Sequence, residues 1–186
     1  VANYGAMLQA YSLMNVLERM GHEVVFIRYK TCAPKRLPLW RSLVSRSLKG
    51  VKAKFKNYVC HSITDFAASY SQTKYCETIE EVKLATADCD AFIVGSDQMW
   101  NPLWCSGASL PLVMLDFAAE GKIRVSYAAS FGTKEWREDQ NAAEASRMLK
   151  KFKAISVREE SGVKLVETLS GRTDAKCLLD PTLLQN

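Results

Sequence analysis

The chain has 186 residues, of which 48% are hydrophobic and 24% are charged, and its formal net charge is +5. This length and apolar content predict one substantial folded domain and exclude extensive disorder. No apolar run approaches the roughly 20 residues that a transmembrane helix needs, so no membrane span is predicted.

The first predicted element is an amphipathic helix that starts near Asn3-Tyr4-Gly5 and ends at Gly21. A β-branched and aromatic strand follows at residues 23–29. Together they form the back half of a βαβ unit, whose first strand we expect upstream of Val1. We therefore expect the upstream sequence to be missing.

A basic segment comes next. Residues 28–56 contain ten Lys and Arg and no acid, so the rest of the chain has a net charge of −5. Within residues 39–59, apolar residues recur at helical spacing between these cations, which predicts a basic amphipathic helix. Such a helix lies on an anionic membrane surface or faces an acidic substrate, and a solvated face on an inserted helix pair fits equally well. We treat residues 30–75 as a helical insertion.

Nucleic acid is not a predicted partner, because no stacking motif accompanies this charge.

The cysteines and histidines limit the chemistry further. Six scattered cysteines form neither a Cys-x-x-Cys pair nor a zinc-type spacing, and they are typical of reduced cytoplasmic thiols. Because His22 and His61 are the only histidines, few residues could form a Ser-His-Asp catalytic triad or a Cys-His dyad. The sequence predicts a cytoplasmic protein, either free or peripheral at the inner membrane face, with no metal site and no cofactor.

The remainder of the chain alternates between helices and strands. Helices are predicted at 64–70, 78–87, 138–152 and 159–169, and strands at 91–94, 122–129, 154–157 and 175–179. This alternation predicts an α/β fold with a Rossmann-like, doubly wound parallel sheet flanked by helices.

All four of these strands end in polar turns, which are Gly95-Ser96-Asp97, Ser130-Phe131-Gly132, Arg158-Glu159 and Asp180-Pro181. Because parallel strands point the same way, these turns are expected to share one crevice at the carboxyl edge of the sheet. The residues predict a site for an anionic small molecule, with Arg158 holding a phosphate or carboxylate. Alternatively, Arg158 and Glu159 form an ion pair at a helix start, and Asp180-Pro181 is a simple turn.

Five blocks of residues stand out along the chain. They are NYGAMLQAY at 3–11, GSDQMWN at 95–101, SYAASFG at 126–132, SVRE at 156–159 and LDPT at 179–182. In this order they resemble the successive signatures of the polysaccharide pyruvyl transferase family.

That resemblance implies a bilobal fold like that of GT-B glycosyltransferases, with this chain as the amino-terminal lobe and a second lobe after Asn186. It also implies transfer of pyruvate from phosphoenolpyruvate onto a sugar of a polysaccharide or lipid-linked glycan, as a ketal and with release of phosphate. A catalytic histidine and further basic contacts belong to the second lobe in this family. The lobe alone is therefore expected to be inactive.

The resemblance also implies roles for individual residues. Arg158 binds a phosphate or carboxylate, and Asp97 contacts sugar hydroxyls, acts as a general base, or caps the turn that follows it. Trp100 stacks on a sugar face or lies in the core. The other predicted substrate contacts are Asn3, Tyr4, Gly5, Gly95, Ser96, Gln98, Asn101, Ser130 and Gly132.

Two rival functions share these features. A nucleotide-sugar glycosyltransferase of the same bilobal fold also places acids and amides at strand ends. A non-catalytic module that binds a glycan or a partner protein is the second rival, since α/β cleft folds carry many functions.

Overall fold

The computed structural model of the protein describes residues 4–29, 72–103, 105, 109–136 and 142–185. Asn3, the predicted basic amphipathic helix and the predicted helix at 64–70 lie outside the described residues. Among the residues described, no helix is both long enough and apolar enough to cross a membrane.

A four-stranded parallel sheet forms the centre of the fold. Its strands are β1 (Ala91–Val94), β2 (Ile123–Ala129), β3 (Ala154–Val157) and β4 (Lys176–Cys177), in the spatial order β1-β2-β3-β4. Val94 is in register with Ser126, and Val157 with both Ala129 and Cys177, so the carboxyl ends of the strands lie along one edge. The predicted α/β fold with a parallel sheet flanked by helices is confirmed.

Four of the five α-helices in the described residues lie where the helical patterns predicted them. They are α1 (Tyr4–Arg19), α2 (Ile79–Ala85), α3 (Leu110–Val113), α4 (Ala142–Leu149) and α5 (Glu160–Ser170), and a 3-10 helix spans Pro181–Leu184. The Thr78 hydroxyl caps α2 by accepting a hydrogen bond from the Glu81 N–H, and Gly171 ends α5 at a φ of 72°. The sequence did not predict α3, because four residues are too few to show a helical period.

One predicted strand differs from the structure. Residues 23–29 form two isolated parallel bridges, Phe26 with Gln72 and Tyr29 with Cys76, instead of a full strand. The four described strands follow one another in order, and the doubly wound arrangement stays a prediction, because residues 30–71 lie outside the described residues. Alternation of helices and strands predicts the class of fold, but it does not encode which strand pairs with which.

The core lies between the sheet and its helices and is centred on aromatic rings. Trp100 is fully buried, with ring centroids 5.3 Å from Phe131 and 5.6 Å from Phe152. Its indole N–H donates to the Val113 carbonyl at 3.0 Å, so the polar atom of the ring is satisfied inside the core. This cluster supports the loops that follow β1 and β2.

Candidate functional site

A cavity of about 330 Å³ opens at the carboxyl edge of the sheet. Its walls come from the first turns of α1 and from the residues that follow β1, β3 and β4. The lining residues are Gly5, Ala6, Leu8, Gln9, Asp97, Arg158, Asp180 and Thr182. Three of the four polar turns predicted to share a crevice therefore border one cavity.

Ser96 connects the elements around this cavity. Its backbone N–H donates to Gln9 Oε1 at 2.9 Å, and its hydroxyl donates to Asp180 Oδ2 at 2.6 Å. Its carbonyl accepts a hydrogen bond from Arg158 Nη1 at 2.8 Å. Ser96 is fully buried, and its N–H, hydroxyl and carbonyl all make hydrogen bonds that hold the site together.

Gly95 allows α1 to approach the end of β1. A Cβ atom at this position would lie 2.7 Å from Gln9 Oε1, closer than a van der Waals contact allows. The Gln9 amide nitrogen in turn donates to the Ala6 carbonyl at 2.9 Å. Sequence reasoning missed Gln9 as a site residue, although it lies in the first of the five blocks.

Arg158 presents its guanidinium to the cavity. Besides the bond from Nη1 to Ser96, Nη1 lies 3.6 Å from Asp180 Oδ2, and Nε lies 3.5 Å from Glu159 Oε1. The side chain is 33% exposed, and none of its hydrogen bonds to the described residues uses Nη2. The ion pair of Arg158 with Glu159 is therefore present at the helix start, and the binding of a phosphate or carboxylate by Arg158 stays a prediction.

The two carboxylates of the cavity differ in their surroundings. Burial opposes ionisation of Asp180, but hydrogen bonds from Ser96 and Thr182 and the charge of Arg158 outweigh it and lower the pKa of this carboxyl. Asp97 Oδ1 accepts a hydrogen bond from the Gln98 N–H at 2.8 Å, so Asp97 both caps its turn and lines the cavity.

The charge of the described cavity comes from one guanidinium and the carboxylates of Asp97 and Asp180. Burial and the negative charge of Asp180 raise the pKa of the neighbouring Tyr127, which stays neutral at physiological pH. The described residues contain no cluster of three or more His, Cys, Asp or Glu side chains suited to a metal ion.

A second group of predicted contact residues lies outside the cavity lining. The amide nitrogen of buried Asn101 donates to Gln98 Oε1 at 2.9 Å. The fully buried Ser130 hydroxyl donates to Glu159 Oε1 and accepts from the Gly132 N–H. The Ser130–Glu159 bond connects the loop after β2 to the start of α5. Two backbone bonds join this loop to the one after β1: the Trp100 N–H donates to the Ser130 carbonyl at 3.1 Å, and the Ser130 N–H donates to the Asp97 carbonyl at 3.2 Å.

Trp100 does not contact the cavity. Its side chain is fully buried in the aromatic cluster, so neither face of its ring is available to stack on a sugar. Of the two roles that the sequence left open for Trp100, its burial therefore favours the core role, because the loop turns the large apolar ring inward. At the helix start, Tyr4 is 51% exposed outside the cavity lining, whereas Gly5 is part of it.

Replacing Gly132 with alanine is expected to lower the free energy of unfolding by about 1–3 kcal/mol, through steric crowding and backbone strain. Gly132 has a φ of 62°, and a Cβ atom there would lie 2.6 Å from Asn101 Nδ2 and 2.8 Å from Gln98 Cδ. Denaturant unfolding measures the loss. Gly121→Ala is the matched control, because Gly121 has a φ of 84° with no atom within 4 Å of its Cβ position. Equal losses in the two variants would contradict the crowding argument.

Comparison with known proteins supplies one match. A family model described as polysaccharide pyruvyl transferase matches residues 3–186, which include all five sequence blocks and every residue of the cavity. Neither the curated proteins nor the solved structures gave a significant match.

Proposed function

Because this chain belongs to the polysaccharide pyruvyl transferase family, we propose that it transfers pyruvate from phosphoenolpyruvate to a sugar of a polysaccharide or lipid-linked glycan. The product is a ketal, and phosphate is released. The observation that supports this function most directly is the cavity at the sheet edge, which both Arg158 and Asp97 line, and in which Nη2 of Arg158 makes no hydrogen bond to the described residues. A cation and a hydrogen-bond acceptor therefore lie in one cavity.

The reaction sets clear requirements. A proton adds to the methylene carbon of phosphoenolpyruvate, which becomes the methyl group, and the neighbouring carbon becomes electron-poor. Two sugar hydroxyls form C–O bonds to that carbon, and the C–O bond to phosphate breaks. Of the two hydroxyl protons, one balances the proton gained by the methyl group and the other leaves with phosphate. Proton transfer and stabilisation of the departing phosphate are therefore the two tasks of the site.

Arg158 is suited to the second task. A guanidinium with two N–H groups on one nitrogen still available binds a phosphate or carboxylate oxygen through charge-assisted hydrogen bonds. Its Nη1 is already held by Ser96, so little side-chain entropy is lost when an anion binds. We assign Arg158 to one anionic group of phosphoenolpyruvate.

Asp97 is suited to the sugar. One of its carboxylate oxygens accepts the Gln98 N–H, which leaves lone pairs on the other oxygen for a hydroxyl of the acceptor. A carboxylate in this place also accepts a proton from the attacking hydroxyl. Gln98 is exposed next to Asp97, and its side-chain amide supplies a further contact for the sugar.

One guanidinium does not balance the charge of phosphoenolpyruvate, which carries a phosphate and a carboxylate. Arg158 faces Asp180 and Glu159 as well as any ligand, so part of its charge is already neutralised. The proposal therefore requires further cations for the second anionic group. In this family they are expected from a carboxy-terminal lobe.

Calorimetric titration of the protein with its complete natural chain tests this function, with phosphoenolpyruvate and UDP as parallel ligands. We expect saturable binding of phosphoenolpyruvate and no comparable binding of UDP. Preference for UDP would instead support a nucleotide-sugar glycosyltransferase. Binding of neither ligand would support a non-catalytic module.

A further inference from the structure

Three residues that follow different strands form a closed ring of polar contacts in the wall of the cavity. The Ser96 carbonyl accepts from Arg158 Nη1 at 2.8 Å, and the same nitrogen lies 3.6 Å from Asp180 Oδ2. The ring closes because the Ser96 hydroxyl donates to Asp180 Oδ2 at 2.6 Å. One guanidinium nitrogen is thus held by a carbonyl and a carboxylate that are themselves hydrogen-bonded.

Both partners of Arg158 in this ring are held in place by further hydrogen bonds. Ser96 is fully buried, and Gln9 accepts its N–H. Asp180 Oδ1 accepts from the Thr182 N–H at 3.0 Å and from the Thr182 hydroxyl at 2.7 Å, which anchors it to the 3-10 helix. The ring therefore resists reorientation when a ligand arrives.

We propose that Ser96 and Asp180 are a pair of positioning residues, which hold Nη1 of Arg158 so that Nη2 is presented to an anionic group of the substrate. This role rests on the function proposed above. Neither residue is expected to touch the anion, since Ser96 is fully buried and both act through Arg158. Without them, the long arginine side chain would have to be ordered at the moment of binding.

The charge of Asp180 makes the inference testable, because this residue has two opposite effects on the affinity for phosphoenolpyruvate. Its carboxylate repels an anion in the cavity, so its removal alone would tighten phosphoenolpyruvate binding. Its contact with Nη1 orients the guanidinium, so loss of that contact weakens binding. We infer that orientation has the larger effect.

The test is calorimetric binding of phosphoenolpyruvate to four variants of the complete natural chain: Asp180→Asn, Ser96→Ala, Arg158→Ala and the double variant Arg158→Ala with Asp180→Asn. Asp180→Asn is expected to weaken binding about tenfold, and Ser96→Ala about threefold, within the usual range of coupling between contacting residues. In the Arg158→Ala background, Asp180→Asn is expected to change binding less than twofold. Tighter binding of phosphoenolpyruvate by Asp180→Asn would overturn the proposal. So would a loss of affinity on Asp180→Asn in the Arg158→Ala variant that is as large as the loss in the unaltered protein.

Asp174→Asn is the matched control. Asp174 also pairs with an arginine, with Oδ2 2.6 Å from Arg172 Nη2, but it does not line the cavity. This change is expected to leave phosphoenolpyruvate binding unaltered. Ser96→Ala preserves every charge and only removes a hydroxyl, so the test survives if Asp180→Asn fails to fold.

Inorganic phosphate serves as a second probe and separates this inference from the proposed function. If the unaltered protein binds phosphate but not phosphoenolpyruvate, the donor assignment is wrong and the same variants are compared with phosphate. The positioning role is then tested by phosphate binding: it requires that Asp180→Asn weakens binding in the unaltered protein but not in Arg158→Ala. Binding of neither probe by the unaltered protein would overturn both.

Discussion

Replacing Arg158 with alanine is expected to weaken phosphoenolpyruvate binding about 10- to 150-fold, which corresponds to the roughly 1.5–3 kcal/mol of a hydrogen bond to a charged group. The physical reason is the loss of the cavity's guanidinium, whose Nη2 makes no hydrogen bond to the described residues. Calorimetry on the complete natural chain measures the change.

Arg158→Lys separates charge from geometry. Lysine keeps the positive charge but not the planar fork, so it cannot hold the Ser96 carbonyl and an anion in the same way. We expect binding between that of the unaltered protein and that of Arg158→Ala.

The control for Arg158→Ala is Arg147→Ala. Arg147 also pairs with a carboxylate, with Nη2 2.8 Å from Asp116 Oδ2, but it lies on α4 outside the cavity lining. Its loss is expected to leave binding unchanged. Equal binding by Arg158→Ala and the unaltered protein would show that this guanidinium does not contact the ligand.

Replacing Arg124 with methionine is expected to lower the free energy of unfolding by about 3–5 kcal/mol, the largest stability effect we predict. Arg124 lies on β2 and is only 6% exposed. Its guanidinium donates only to main-chain carbonyls, and no described carboxylate forms an ion pair with it. The acceptors are the carbonyls of Leu115, Ala118, Ala119 and Lys122.

The reason for this large effect is that methionine replaces the unbranched stem of the arginine side chain but supplies no hydrogen-bond donor. The bonds to Leu115 and Ala118 are buried, so the Ala118 carbonyl would lose its donor away from water, and the Leu115 carbonyl would be left with the Ala118 N–H as its donor. The loop between α3 and β2 also bends sharply, with Leu115 at a φ of 55°, and Arg124 holds it in that shape. Val113, in the same region, accepts the indole N–H of Trp100, so the damage would extend to the aromatic core.

Denaturant unfolding of Arg124→Met and Arg147→Met compares a buried arginine with an exposed one. Arg147 is 50% exposed, and its surface ion pair with Asp116 is expected to contribute less than about 1 kcal/mol. If Arg124→Met lowers the free energy of unfolding by no more than Arg147→Met does, water or other donors replace the Arg124 guanidinium.

The sequence by itself determined the local structure and the family. The patterns at 91–94 and 154–157 predicted β1 and β3 with their observed bounds, and Gly21 and Gly171 marked where α1 and α5 end. These features depend on neighbouring residues, since a strand or a helix end follows from side-chain period and backbone preference over a few positions. The five blocks identified the family for the same reason, because each is a short run of adjacent residues.

Only the tertiary structure decided which of the predicted site residues act together. Ser96 binds Gln9, Asp180 and Arg158 across separations of 87, 84 and 62 residues, and no local pattern contains these pairs. For Trp100 the sequence left sugar stacking and a core role open, and the structure places its ring in the core. Contacts of this kind depend on how the strands associate and on which side of each loop is buried. A side chain's role in the site is therefore set by packing, whereas the element that carries it is set by the sequence around it.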